Sequence, residues 1–170
     1  EQEAQRQAAE TALQRHVLAI EEMRLLLQTT LDAFPANVAV LETDGTIINV
    51  NLSWTRFAVE NHAPSPIHYL GTNYLTVCDT AAEAGSEDAA STGAGIRAVI
   101  DGSKDAFGLD YTCHGPSENR WFVLQVTPFP EPTPRRVVVA HINISERKRA
   151  ETQLQEAYDL LQEAYDFLEQ

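Results

Sequence analysis

Leu13, His16, Ile20, Met23, Leu27, Thr30 and Phe34 follow one another at alternating steps of three and four, and neither Gly nor Pro occurs before Pro35. That rhythm is the a/d seam of a coiled-coil helix. Pro35 disfavours helical geometry at the residue before it, so the helix is expected to occupy residues 1–34. The far end repeats the pattern. In "QEAYDLLQEAYDFL" one heptad is written almost twice, and Glu151, Leu154, Tyr158, Leu161, Tyr165 and Leu168 keep the three-four spacing. Ala150, Ala157 and Ala164 flank that seam at intervals of seven, small enough to let a partner helix come close. An isolated amphipathic helix is marginal in water, so each end needs a partner. Narrow seams fit a parallel homodimer; folding back onto the chain's own middle is the alternative. Both seams run in register to the chain ends, so the chain is expected to be an excerpt of a longer protein.

The acidic balance excludes one class of partner. A formal net charge of −13 repels phosphates, so nucleic-acid binding is not expected. No apolar run approaches the roughly 20 residues of a membrane span, and the opening ten residues do not read as a signal peptide. Cys78 and Cys113 form neither a disulfide framework nor a zinc spacing. Two thiols of that kind fit a reducing cytoplasm.

Between the helices, residues 35–145 read as one α+β domain. Val38–Thr43 and Thr46–Val50 are strand-like on either side of Asp44-Gly45, a hairpin signal. Asn51 is placed to cap a helix carrying Trp54, Phe57 and Ala58 on one face. Pro64, Pro66, Gly71 and Gly85 point to loops and short helical turns from Ala63 to Ser91. A helix is expected from about Ser91 to Asp101, ended by Gly102. Three strands follow. Phe107, Leu109, Tyr111 and Cys113 alternate in the first, and "HGPSEN" is the turn after it. In "RWFVLQVTPF", Phe122, Leu124 and Val126 share one face, and Trp121, Val123 and Gln125 the other. "RRVVVAHINI" is the third. A five-stranded antiparallel sheet with helices on one face satisfies this order.

These stretches together resemble a PAS domain, the sensor module of bacterial signalling proteins. "LDAFPANVAVLETDGTIINVN" is similar to the PAS opening, and "YLGTNYLTVCD" to the Gly-led start of the central helices. "YTCHGPSENRWFVLQVTPF" resembles a paired-strand segment of the family. "HINISERKRAE" resembles its closing Asp-Ile-Thr motif and charged signalling helix, with Asn143 standing for the Asp, Ile144 kept and Ser145 standing for the Thr. Both replacements still offer hydrogen bonds.

The resemblance implies a sensor, with or without a cofactor. LOV-type flavin photochemistry is not expected: the position that needs a cysteine is near Tyr74, and Cys78 lies four residues late. Haem is not expected either, because residues 91–101 hold no His and Met23, the one methionine, lies on the N-terminal helix. His62 and His68 are the remaining haem candidates. No histidine pair has metal-ligand spacing, so no metal is assigned. Cys113 and His114 are sequence neighbours whose side chains diverge on a strand, which argues against a catalytic dyad.

The implied pocket lies between the sheet's inner face and the long helix, lined by Tyr74, Ile96, Ile100, Phe107, Leu109, Tyr111, Phe122, Leu124 and His141. His141 is open to either face. Two functions stay open: a ligand-binding sensor, and a ligand-free dimerisation and relay module. A cavity holding a polar group favours the first; large side chains filling the core favour the second. In both, the last strand passes a change through Asn143, Ile144 and Ser145 to the exit coil of residues 146–170, and so to an output domain. The resemblance implies a histidine kinase as that output, with a diguanylate cyclase next. The dimer seam is Leu13, His16, Ile20, Met23 and Leu27 at one end, and Leu154, Tyr158, Leu161, Tyr165 and Leu168 at the other. Paired His16 side chains would set register there.

Overall fold

A computed structural model describes residues 2–60, 69–113 and 120–168. The first helix, α1, spans Gln2–Asp32. Strands β1 (Asn37–Leu41) and β2 (Ile47–Val50) pair antiparallel around Asp44-Gly45. Gly45 takes φ +89°, and the Asp44 carboxylate accepts from Thr46 N at 2.8 Å. Such a φ is open to glycine at no steric cost, so the turn follows directly from the dipeptide. Helix α2 (Leu52–Glu60) buries Trp54 and Ala58.

The segment expected as loops and turns holds a regular helix. Helix α3 runs Tyr74–Glu83, and α4 runs Glu87–Ile100, starting before Ser91. Asn73 caps α3 by accepting from Thr76 N, and Ser86 caps α4 by accepting from Ala89 N. Gly85, at φ +100°, turns the chain between them. The run "AAEAGSEDAAS" is therefore a helix end, a turn and an acidic first helical turn, where Glu87 and Asp88 complement the helix dipole.

Strands β3 (Phe107–Thr112), β4 (Trp121–Pro128) and β5 (Val137–Asn143) complete the sheet, whose order is β2-β1-β5-β4-β3 with antiparallel neighbours. The turn "HGPSEN" has His114 to Asn119 outside the described residues. One inner row reads Leu109, Leu124, His141 and Asn37 across four strands. The adjoining row reads Tyr111, Phe122 and Asn143. Leu124, Val126, Val137, Val139, Ala39 and Leu41 are fully buried under Ile96, Val99 and Ile100 of α4. Contact with α4 is close enough to require glycine: a Cβ on Gly95 would lie 2.3 Å from the Phe107 ring.

The last helix, α5, spans Ser145–Leu168. Both long helices stand away from the domain. Residues 2–27 of α1 and 149–168 of α5 are exposed throughout, the seam residues Leu13, Ile20, Leu154 and Leu161 among them. The α1 seam does not lie on the sheet. Among the described residues, no helix is long and apolar enough to cross a membrane.

Candidate functional site

A cavity of about 410 Å³ opens between α2, α3, α4 and the inner sheet face. Trp54 and Phe57 come from α2, Tyr74 and Cys78 from α3, Thr92 from α4, and Tyr111 and His141 from the sheet. Its volume falls in the lower part of the range of small-molecule pockets, roughly 300–1,000 Å³.

His141 organises the polar part. Its Nδ1 lies 2.6 Å from the Tyr111 hydroxyl and its Nε2 lies 3.1 Å from the Tyr74 hydroxyl. Both ring nitrogens are thus engaged by side chains from β3 and α3. Trp54 packs its ring edge-to-face against Tyr69, Tyr74 and His141 at 6.1, 5.8 and 5.4 Å. Burial lowers the His141 pKa to about 4, so the imidazole is neutral at neutral pH. Burial likewise raises both tyrosines. It pushes the Cys78 thiol up to about 11, with Asp79 adding to the rise, so Cys78 is a protonated thiol rather than a nucleophile.

Of the nine residues expected around a pocket, the cavity brings together Tyr74, Tyr111 and His141. Ile96, Ile100 and Leu124 sit in the solid core, with Phe107 and Leu109 packed against it. Phe122 is buried, stacks on Tyr111, and borders a second, polar cavity of about 320 Å³ with Arg56, Glu60 and Asn143. Asn37, His141 and Phe57 border both cavities. Trp54, Phe57 and Ala58, expected together on one face of their helix, line the cavity with that face, and the shared face is the usable signal; Cys78 and Thr92 line it with no such signal in the sequence. His62, His68 and His114 lie outside the described residues. No group of three metal-ligating side chains occurs among the described residues.

Two residues beyond His141, on the same strand face, Asn143 begins the exit from the sheet. Its side chain accepts from Ser145 N at 2.9 Å, while Ser145 Oγ accepts from Trp121 N at 3.0 Å. Ile144 N donates to Trp121 O at 2.8 Å, so the start of α5 is bonded to β4 as well as to β5. Ser145→Ala is expected to cost about 1 kcal/mol, the usual worth of one such bond, in urea unfolding. Asn143→Asp keeps the acceptor and adds negative charge at the α5 N-terminus. It is expected to leave stability unchanged or raise it by about 0.5 kcal/mol.

Comparison with known proteins agrees with this architecture. The family model described as the PAS fold matches residues 31–149. An uncharacterized 104.1 kDa protein in the hypE 3' region of Rhodobacter capsulatus is 38% identical over 122 residues, which make up 71% of this chain and 13% of that protein. The PAS domain of Bordetella pertussis BvgS has a TM-score of 0.54 at 13% identity, covering 81% of this chain and 98% of that one. The phage VqmA–DPO complex gives 0.53 at 19% identity, over 82% of this chain and 61% of that one. A five-stranded sheet in the order β2-β1-β5-β4-β3, helices over one face, and a family match running from the end of α1 into the start of α5 lead to one assignment: the chain belongs to the PAS family.

Proposed function

We propose that this chain is a cytoplasmic sensory PAS module that binds a small molecule in the cavity around His141 and passes the change to α5. The carrying observation is the cavity itself: it holds a bonded Tyr74–His141–Tyr111 group rather than being filled by large side chains. Strand β5 connects it to the exit. His141 is in the cavity wall, and Asn143, on the same face, bonds the first turn of α5. A ligand that moves His141 acts two residues from the bonds that aim the helix. To shift a two-state junction it needs only to bind one state better than the other.

In this reading the molecule is a parallel homodimer. The unpartnered seams of α1 (Leu13, His16, Ile20, Met23, Leu27) and α5 (Leu154, Tyr158, Leu161, Tyr165, Leu168) are its contact surfaces, and their exposure supports that assignment. The output is a domain beyond α5, a histidine kinase by the family resemblance or, second, a diguanylate cyclase. The Rhodobacter capsulatus relative, of which this chain spans 13%, has room for such a domain.

Native mass spectrometry of the chain purified directly from cells tests both halves. The expected spectrum is a dimer carrying an extra mass that is released on denaturation. A chain that stays monomeric across the micromolar range and carries no extra mass removes the proposal.

A further inference from the structure

The Tyr74–His141–Tyr111 group contains one more proton than it can use. Each tyrosine brings one hydroxyl proton, and the neutral imidazole brings one N–H. That makes three donors for two internal bonds. Whichever tautomer His141 adopts, one tyrosine donates to a ring nitrogen, the other accepts from the ring N–H, and the accepting tyrosine keeps its own proton unspent. The distances say which. An O–H···N bond is the shorter kind and N–H···O the longer. On that basis the 2.6 Å contact is assigned to Tyr111 donating to Nδ1 and the 3.1 Å contact to Nε2–H donating to Tyr74. No further acceptor for the Tyr74 hydroxyl occurs among the described residues, and Tyr74 lines the cavity.

Charge narrows the ligand further. No Arg or Lys appears among the described lining residues, and the formally charged one is Asp88. Among the described lining residues an anion meets one repulsive carboxylate, and the cations Arg56 and Arg120 border the adjoining cavity instead. The remaining wall near Tyr74 is aromatic: Trp54, Tyr69 and Tyr111. Trp54 is engaged edge-to-face with its neighbours rather than arranged as an open cage for a cation.

We infer that the cavity selects a small, uncharged ligand that places a hydrogen-bond acceptor, a carbonyl oxygen or an aromatic ring nitrogen, on the Tyr74 hydroxyl. This rests on the cavity being a ligand site. A ligand of this kind completes the group. A hydrocarbon of the same shape leaves the Tyr74 proton unbonded.

Four probes of similar size separate the possibilities: acetophenone, its hydrocarbon isostere α-methylstyrene, benzoate, and the trimethylphenylammonium cation. Each is titrated into the whole chain while the Trp54 indole resonance is followed by NMR. Acetophenone is expected to bind about five- to ten-fold more tightly than α-methylstyrene, and both charged probes more weakly than acetophenone. Tyr74→Phe is expected to reduce the acetophenone advantage, any remainder being held by the His141 Nε2–H that the substitution frees. Equal binding of acetophenone and α-methylstyrene, or tightest binding by either ion, overturns the ligand class while leaving a ligand site. If no probe moves Trp54 at millimolar concentration in the folded protein, the ligand site falls too. Should Tyr74→Phe fail to fold, the acetophenone and α-methylstyrene comparison in the unsubstituted chain decides alone.

Discussion

Asn51→Leu is expected to lower the unfolding free energy by about 3–5 kcal/mol, measured as a shift of the urea midpoint at neutral pH. Asn51 is fully buried and makes five bonds with one side chain. Its Oδ1 accepts from Val38 N at 2.9 Å and Trp54 N at 3.0 Å, joining β1 to the first turn of α2. The two N–H groups of its Nδ2 serve the carbonyls of Leu31, Phe34 and Ala36 at 3.1, 3.3 and 2.8 Å, one N–H being shared between two of them, which ties down the end of α1 and the chain that leaves it. Leucine has a similar volume, so little of the loss comes from a cavity. The cost arises because two N–H groups lose their acceptor inside the fold, at about 1–3 kcal/mol each. Asn51→Asp separates the two halves of the network. It keeps both acceptor bonds but turns a carboxylate towards three carbonyls. That environment raises the carboxyl's folded pKa above its unfolded value, so the variant's deficit should grow as pH rises from the unfolded pKa to the folded one and shrink on acidification. A loss below about 1 kcal/mol for Asn51→Leu would mean that water replaces the side chain and that α1 is not anchored through it.

Further bonds hold the same end of α1. Gln28 Nε2 donates to Val50 O at 3.2 Å, the Asp32 carboxylate accepts from Leu52 N at 2.7 Å, and Ser53 Oγ donates to Phe34 O at 2.9 Å. The last turn of α1 is thus bonded to the same β2–α2 corner that Asn51 fills. Most of α1 is exposed, yet its end is fixed. Through Asn51 that end is joined to Val38 on β1, next to Asn37, the register partner of His141.

Some of this was legible in the sequence because short-range chemistry decides it. Asp44-Gly45 specified the first hairpin, and the alternation Phe122, Leu124, Val126 specified the inner face of β4. Asn51 read as a helix cap, which it is; its three further bonds to the α1 end depend on long-range placement that no spacing encodes. Helix α3 was missed because Thr76, Val77, Cys78 and Thr80 are indifferent helix formers and packing on α4 overrides their propensity. The facing of His141 was open because Val138 and Ile142, on the opposite side of β5, are as apolar as Val137 and Val139. Its bonds to Tyr111 and Tyr74 join residues 30 and 67 positions apart. Three separate elements build the polar centre, and only the assembled sheet and α3 bring them together. The three-four rhythm within α1 and α5 is visible in the sequence alone, since periodicity needs no tertiary information.

Acidification is expected to cost the fold about 3 kcal/mol through His141, against a His141→Gln reference that cannot titrate. The His141 pKa lies at about 4 in the fold, against an ordinary value of 6.5. Between those values the unfolded chain binds a proton that the folded chain refuses. The unfolded state therefore holds more protons, and stability rises with pH across this window. The contribution is complete above 6.5, falls as pH drops, and is gone below the folded value of about 4. Glutamine offers one acceptor and donors to the two tyrosines, so it supports both hydroxyls without acquiring charge. Asp44, Asp101 and Glu131 have lowered pKa values and also weaken the fold in acid, but they are common to both proteins and cancel in the difference. Urea unfolding at a series of pH values from neutrality downward reads the effect, with the two proteins diverging by about 1.4 kcal/mol per pH unit inside the window. Parallel profiles would mean that His141 is solvated and takes up its proton in place. The divergence also bears on the cavity. An imidazolium donates from both nitrogens, so Tyr111 must turn from donor to acceptor when the ring charges. Its own proton is then released towards the cavity beside that of Tyr74. Protonation therefore changes both the charge and the donor pattern that a ligand meets, and the loss of stability is the measure of how strongly the fold holds His141 in the neutral, single-donor state.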